Sequence, residues 1–513
     1  MRKSRIACGA AVLGYFLLIL LPVAGFGGEG ELSGVPVWNS RRLGLVWNSF
    51  LMAFLSACGC TVTGVLAAVG IHSGRLRNSG RRWFFLLLAP VPYYIYALTW
   101  MCMVRWAGRG DRRWFAVSMT GLLPCVIVDI MAFLPMVTGL VLTAMEHFDR
   151  QQIEIARVYG TGHKVLARVM LPAIWPSVSA AGILVFVLSV TDFSVPSLFQ
   201  YQTYTLELFS EYSRGCDLGQ IGRLALPLIL LVLAMILGAL GGLRSLSAGS
   251  ASMGAHGVEL SGIWAWMGKV GVLICILQLM VPAAVFVLEI RDWVSVRESI
   301  VLCRKELAVS VVIAGLASLT ALALAGPAGI WVEDKPMPLK ALALFPVAVP
   351  SSLVAMGLLQ TVNGSCFHWL SQTVYFPALG CAVKYMPFAV LVFMARARGI
   401  PREELEIARV YAVSEGEYFF RVLLPAYRPA VLGAGVLVFL LTLGEEGITL
   451  VLMPPGYETL AEKVYNYLHY GAGELVSGFC LITVAVTAGV MAGAGRMMSR
   501  RRKTGLRGRG KKA

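Results

Sequence analysis

Glu154-Ile155-Ala156-Arg157-Val158-Tyr159-Gly160, running on to Leu171-Pro172, returns as Glu406-Ile407-Ala408-Arg409-Val410-Tyr411-Ala412, running on to Leu424-Pro425. The first six residues of the two copies are identical. Both copies are polar islands in an apolar chain. Charged or polar residues precede each (Asp149-Arg150-Gln151-Gln152; Arg402-Glu403-Glu404), and a long hydrophobic segment follows. Repetition of this kind means two copies of one structural unit. The copies differ in two details. Glu154 to Pro172 is 18 residues and Glu406 to Pro425 is 19, and Gly160 is matched by Ala412. One residue is about 100° of helix, so the two polar helices are expected to present different faces.

Around these islands the chain is 58% hydrophobic and 14% charged over 513 residues, with a mean hydropathy of +0.74. Those values lie outside the soluble range, and apolar runs of about 20 residues mark transmembrane helices. The net charge of +16 falls largely in loops and at the two ends, as the positive-inside rule expects. It gives no reason to expect nucleic acid. The eleven cysteines are scattered, mostly within apolar runs, without metal-site spacing. They read as small core residues.

Arg2, Lys3 and Arg5 precede the apolar run Ile6 to Phe26. Its length suits an uncleaved first span; a signal peptide ending near Val23-Ala24-Gly25 is the alternative. Further spans are expected at 45–71, 83–104, 116–145, 174–198 and 224–243. A second set is expected at 264–288, 307–325, 339–362, 374–395, 430–453 and 475–498. This divides the chain into a first domain (1–243, polar loop 146–172), a Gly/Ser-rich linker (244–263), a second domain (264–498, polar loop 399–425) and a basic tail (499–513). Six plus six spans put both termini, both polar loops and the Arg-rich 75–82 segment on one side, the cytoplasmic one. The Arg-rich loop 105–113 would then lie outside, against the rule.

The halves align beyond the islands. Pro135 and Pro387 precede their motif Glu by the same distance, and Pro176, Gly182 and Val185-Phe186 match Pro429, Gly435 and Val438-Phe439. Equal, even span counts make these parallel repeats. The expected fold is therefore all-α and membrane-embedded, with about twelve helices in two parallel six-helix repeats.

Glu-x-Ala, a small residue six positions after the Glu, and Leu-Pro about a dozen further on resemble the EAA loop of ABC importer permeases. The whole chain is similar to fused permeases of the type I, methionine-importer-like class, typical of ferric iron and thiamine importers. The resemblance implies a complex with two ATP-binding cassette subunits and a periplasmic substrate-binding protein, in a bacterial inner membrane. It assigns coupling to Glu154, Ala156, Gly160, Leu171, Pro172, Glu406, Ala408, Ala412, Leu424 and Pro425. The run 454–471 resembles permeases assigned to iron(III), which makes iron(III) the expected cargo. Thiamine, phosphonate and polyamine are the alternatives.

No G-x-x-x-x-G-K-[ST] occurs, so ATP and Mg are expected on the partner subunit and no cofactor on this chain. An enzyme is not expected, because the six His are dispersed. A secondary transporter would share the repeats but would not need two such loops; an amphipathic surface helix is the plainer reading of each. Charges within the spans mark a pathway or a helix end. Asp192 and Glu445 are equivalent, Glu446 adjoins the second, and Asp129 and Lys384 lie on equivalent spans, where they could pair or snorkel. Tyr201, Tyr204, Glu207, Glu211, Tyr212 and Asp217, with Tyr457, Glu458, Glu462, Tyr465, Tyr467, His469 and Tyr470, form either interface belts or a docking face for the binding protein. The basic tail suits attraction to anionic lipid.

Overall fold

A computed structural model describes residues 2–26, 39–73, 91–109, 120–146, 154–155, 158, 162–244, 262–290, 292–400, 402–411, 414–469 and 473–509. Among the described residues every regular element is helical, since a helix satisfies its own backbone within lipid. The first repeat supplies α1 (Arg2–Ala24), α2 (Ser40–Ser73), α3 (Tyr93–Arg109), α4 (Leu122–Glu146), α5 (Leu171–Thr191), α6 (Ser194–Leu198), α7 (Tyr204–Ser213) and α8 (Leu218–Arg244). The second supplies α9 (Ile263–Glu289), α10 (Trp293–Leu302), α11 (Arg304–Val332), α12 (Met337–Ala348), α13 (Ser351–Asn363), α14 (Tyr375–Arg398), α15 (Arg402–Tyr411), α16 (Leu424–Leu443), α17 (Thr449–Leu452), α18 (Leu460–His469) and α19 (Gly473–Arg509).

Among the described residues nine helices are long and apolar enough to cross a membrane, and α12 with α13 forms a tenth, broken span. The two other expected spans correspond to shorter helices, the apolar Cys8–Ala24 part of α1 and the 17-residue α3. Most of the linker and the expected start of the third span lie outside the described residues. The last span does not stop at the expected tail, since α19 continues to Arg509.

The chain packs as two compact units whose segments interleave. Unit one comprises Met1–Ser40, Thr205–Leu233 and Val301–Tyr470; unit two comprises Arg41–Tyr204, Ala234–Ile300 and Gly471–Ala513. In unit one α11, α14 and α16 pack on one another, and α1 lies against α11 and α13. Tyr15 of α1 is fully buried, and its hydroxyl donates to Ala343 O at 2.5 Å. Thr361 on α13 donates back to Leu21 O at 3.0 Å. In unit two α4 packs on α3 and α5, and α9 packs on α3 and α19. Each repeat's first helix thus packs against the other repeat's third-span helix, α1 on α13 and α9 on α3.

That exchange accounts for part of the Arg-rich outer loop. Arg105 on α3 donates to Glu289 Oε1 at 2.6 Å, and Trp106 Nε1 donates to Glu289 Oε2 at 2.7 Å. The end of α9 therefore brings a carboxylate that neutralises a charge the positive-inside rule disfavours. Arg112 and Arg113 lie outside the described residues.

Three expected spans end or break early. The 339–362 run bends by 96° between α12 and α13. Pro350 lacks an N–H and excludes the helical region at the residue before it, and Val349 is extended at φ −95°, ψ 126°. The 174–198 and 430–453 runs end at Thr191 and Leu443, before the short helices α6 and α17. The outer residues do not all form a face, because Tyr204, Glu207 and Glu211 are buried while Tyr457 is exposed.

Candidate functional site

The second polar stretch folds as α15, with Glu403 exposed in its first turn, where a carboxylate complements the helix dipole. Ile407, Val410 and Tyr411 fall at i, i+3 and i+4, so they share one face. All three are exposed, Val410 at 82% and Tyr411 at 83%. Ala408 is half-buried. In the first stretch Glu154, Ile155 and Val158 are helical, with Ile155 exposed and Val158 at 80%. Ile155 and Val158 of the first copy and their counterparts Ile407 and Val410 of the second thus face outward. Ala156, Gly160 and Ala412 lie outside the described residues, as does the Glu406 side chain.

After each polar helix the architecture repeats. Four-residue helices, Gly162–Val165 and Glu415–Tyr418, lead into five-residue π-helical turns, Leu166–Met170 and Phe419–Leu423. Leu171-Pro172 and Leu424-Pro425 then open α5 and α16. Proline removes the i−4 hydrogen bond and its ring crowds that carbonyl, and a wide π turn relieves both. Leu171 N–H accordingly donates to Leu166 O, one residue beyond the α-helical partner. Because these elements match residue for residue, the extra residue of the second copy falls between Tyr411 and Glu415, after the polar helix. Residues 159–161 and 412–413, which join each polar helix to these elements, lie outside the described residues. Arg396 Nε donates to Ala426 O at 2.8 Å and Arg398 Nε to Glu333 Oε1 at 2.6 Å, which fixes the base of the second loop.

The acids at the breaks act locally. Asp192 is extended after α5, and its carboxylate accepts from Ser194 N–H at 3.2 Å and Val195 N–H at 3.0 Å. The equivalent Glu445 accepts from Ile448 N–H at 3.1 Å and from the Tyr385 hydroxyl. Each satisfies amide groups at the start of the short helix that follows. The helix-end reading thus has a geometric basis in both repeats. Glu446 is buried beside Glu445. Tyr385 was not legible as a partner, although a buried tyrosine hydroxyl usually requires one.

Asp129 and Lys384 each find partners within their own unit. Asp129 accepts from Ser56 Oγ at 3.0 Å and Ser189 Oγ at 2.5 Å, joining α4 to α2 and α5. Lys384 donates to the Val349 carbonyl at 2.6 Å. A charge in mid-bilayer costs roughly 2.5–3.5 kcal/mol on insertion scales, and these bonds offset part of that.

Glu462 on α18 forms a capping box. Its N–H donates to Thr459 Oγ1 at 3.2 Å, its carboxylate takes a backbone hydrogen bond from Thr459, and its Oε2 is buried without a partner. Burial, and next Glu458 nearby, outweigh the Thr459 bond and push the carboxyl up to about 7. Its ordinary value is 4.5, so the acid is raised in the folded chain. The stability it contributes is fully present below about 4.5 and is lost as pH rises through about 7. Glu462→Gln keeps the cap and removes the titration. The variant should gain on the wild type in thermal melting as pH rises from 5 to 8; parallel curves would contradict the buried acid.

Among the described residues no group of three or more His, Cys, Asp or Glu could hold a metal ion. A family model for the inner membrane component of binding-protein-dependent transport systems matches residues 60–243 and again 337–504. The spermidine/putrescine transport system permease protein PotC of Escherichia coli K12 is 28% identical over 220 residues, covering 41% of this chain and 78% of PotC. The putative ABC transporter permease protein ORF1 of Caldicellulosiruptor sp. Rt8B.4 is 28% identical over 119 residues, covering 21% and 83%. The molybdenum transport system permease protein ModB of E. coli K12 is 27% identical over 142 residues, covering 26% and 62%.

Proposed function

Because the chain belongs to the family of binding-protein-dependent transport system inner membrane components, as a multi-pass permease of the type I ABC importer class, we propose that each repeated loop docks one ATP-binding subunit. The chain is a transport subunit; hydrolysis falls to separate partners, since it lacks a phosphate-cradling loop. The observation that carries the docking reading is the apolar stripe left exposed in both loops, Ile155 and Val158, then Ile407, Val410 and Tyr411. Apolar side chains repeated on otherwise polar helices are the chemistry of a partner surface. Both loops and both termini face the cytoplasm of a bacterial inner membrane, and a periplasmic binding protein delivers the cargo to the other side. Co-elution of an ATPase with the tagged chain tests this; uptake by the chain without any ATPase would favour a secondary transporter.

For the cargo we propose a cation: iron(III), as the 454–471 run suggests, or a polyamine of the kind PotC is named for. Support comes from Asp192 and Glu445, acids at equivalent breaks in the two repeats, with Glu446 beside the second; carboxylates there attract cations. The double change Asp192→Asn, Glu445→Gln leaves one carbonyl oxygen at each site, which accepts from Ile448 N–H at the second and from one of the Ser194 and Val195 amides at the first, so α17 keeps its cap and α6 keeps one of its two cap bonds. Uptake is expected to fall at least about tenfold, with expression and ATPase assembly intact. Unchanged uptake would leave these acids as helix caps alone and remove the case for a cation.

A further inference from the structure

The break in the ninth span leaves carbonyls without a helix to serve. Past α12 the backbone turns out at Val349, and Pro350 has no N–H to return. The last carbonyls of a helix lack partners and carry its negative dipole end. Val349 N–H reaches back to Pro346 O at 3.3 Å. Into this corner α14 projects Lys384, 4% exposed. Its Nζ lies 2.6 Å from Val349 O, 3.4 Å from Val347 O and 3.5 Å from Pro346 O.

We propose that the Lys384 ammonium is a tethered cation seated in a carbonyl cage at this break, and that without it the cage binds a small monovalent cation. Unwound carbonyls at interrupted spans are the groups that coordinate such ions in membrane proteins. Lysine suits the role because its ammonium is a compact point charge with three donors. The next residue, Tyr385, holds Glu445 at the other interruption of unit one. One turn of α14 therefore fixes both breaks. Ala132 stands at the corresponding position of the first repeat, so the tethered ammonium has no counterpart at that position. Lys384 is thus a positioning residue, and it makes the break independent of dissolved ions.

The test is thermal melting of the purified full chain carrying Lys384→Met, in chloride salts of potassium, sodium, ammonium or N-methylglucamine. The variant is expected to melt several degrees below wild type in N-methylglucamine and to recover saturably in one of the small cations, while wild type is indifferent. Melting of the variant that no cation alters overturns the cage. If Lys384→Met does not accumulate, Lys384→Arg decides. The planar guanidinium cannot converge on the three oxygens and should melt below wild type; an Arg variant as stable as wild type would mean that any long base suffices. Uptake by Lys384→Met should gain the same cation dependence. That arm rests on the transport reading and the melting arms do not, so the two ideas fail separately.

Discussion

The double change Val158→Asp, Val410→Asp is expected to strip the ATP-binding subunits from the purified complex while the permease itself stays folded and inserted. Both side chains are exposed, Val158 at 80% and Val410 at 82%, so neither has packing within the chain to lose. In a docked complex they would sit at the centre of the contact, where truncating an anchor costs about 2 kcal/mol, roughly thirtyfold in affinity for each loop. An aspartate adds the desolvation of a buried charge. Co-elution of the ATPase and ATP-driven uptake should both disappear, with thermal melting of the permease unchanged. Retention of the ATPase by the double variant would exclude the loops as the docking surface.

The single changes separate the two loops. The four-residue helices and π-helical turns after the loops match in length, so the extra residue of the second copy lies before Glu415. Ile155 and Val158 of the first stripe correspond to Ile407 and Val410 of the second, and unequal effects of the two single changes are expected from the extra residue that follows the second. Glu154→Ala with Glu406→Ala tests the acid component of the motif and should weaken association less than the valine pair, because an exposed charge such as Glu154 contributes little.

The all-helical class, the repeat and nine or ten of the twelve expected spans were legible because lipid imposes lengths and internal hydrogen bonding that a hydropathy run records directly. The broken ninth span was hidden for the same reason. Residues 339–362 are predominantly apolar, and Pro346 and Pro350 carried the signal for a bend. The roles of Asp192 and Glu445 depended on where α5 and α16 end, and apolar runs that continue past a helix end do not mark it. Their carboxylates face the amides of Ser194, Val195 and Ile448, which charge and position alone do not reveal. Interleaving of the units left no local trace, since contacts between Tyr15 and Ala343, or Tyr96 and Gln278, join residues far apart in the chain.

That interleaving yields the other large expected effect. At the α1–α13 crossing, a Cβ on Gly357 would lie 2.2 Å from Pro22 O, and one on Gly25 would lie 2.2 Å from Gly357 O. Both obstacles are backbone, so no side chain can swing aside. Close approach through small residues is how helices associate in lipid, where no hydrophobic effect drives them together. Gly357→Ala should therefore cost about 1–3 kcal/mol through overpacking, seen as lower melting and poor recovery from membranes. Gly315 on α11 is the control, because nothing lies within 4 Å of its would-be Cβ. There the same change should gain roughly 0.5–1 kcal/mol, as alanine does over glycine in a helix. Gly25→Ala meets the same contact from the other side. Once the first change has forced α1 away from α13, the second has less to displace. The pair should therefore cost less than the sum of the single changes, as coupled neighbours do. Strict additivity, or a Gly357→Ala protein as stable as Gly315→Ala, would mean that α1 does not pack on α13 in the membrane, and the exchange of that first helix between the repeats would fall with it.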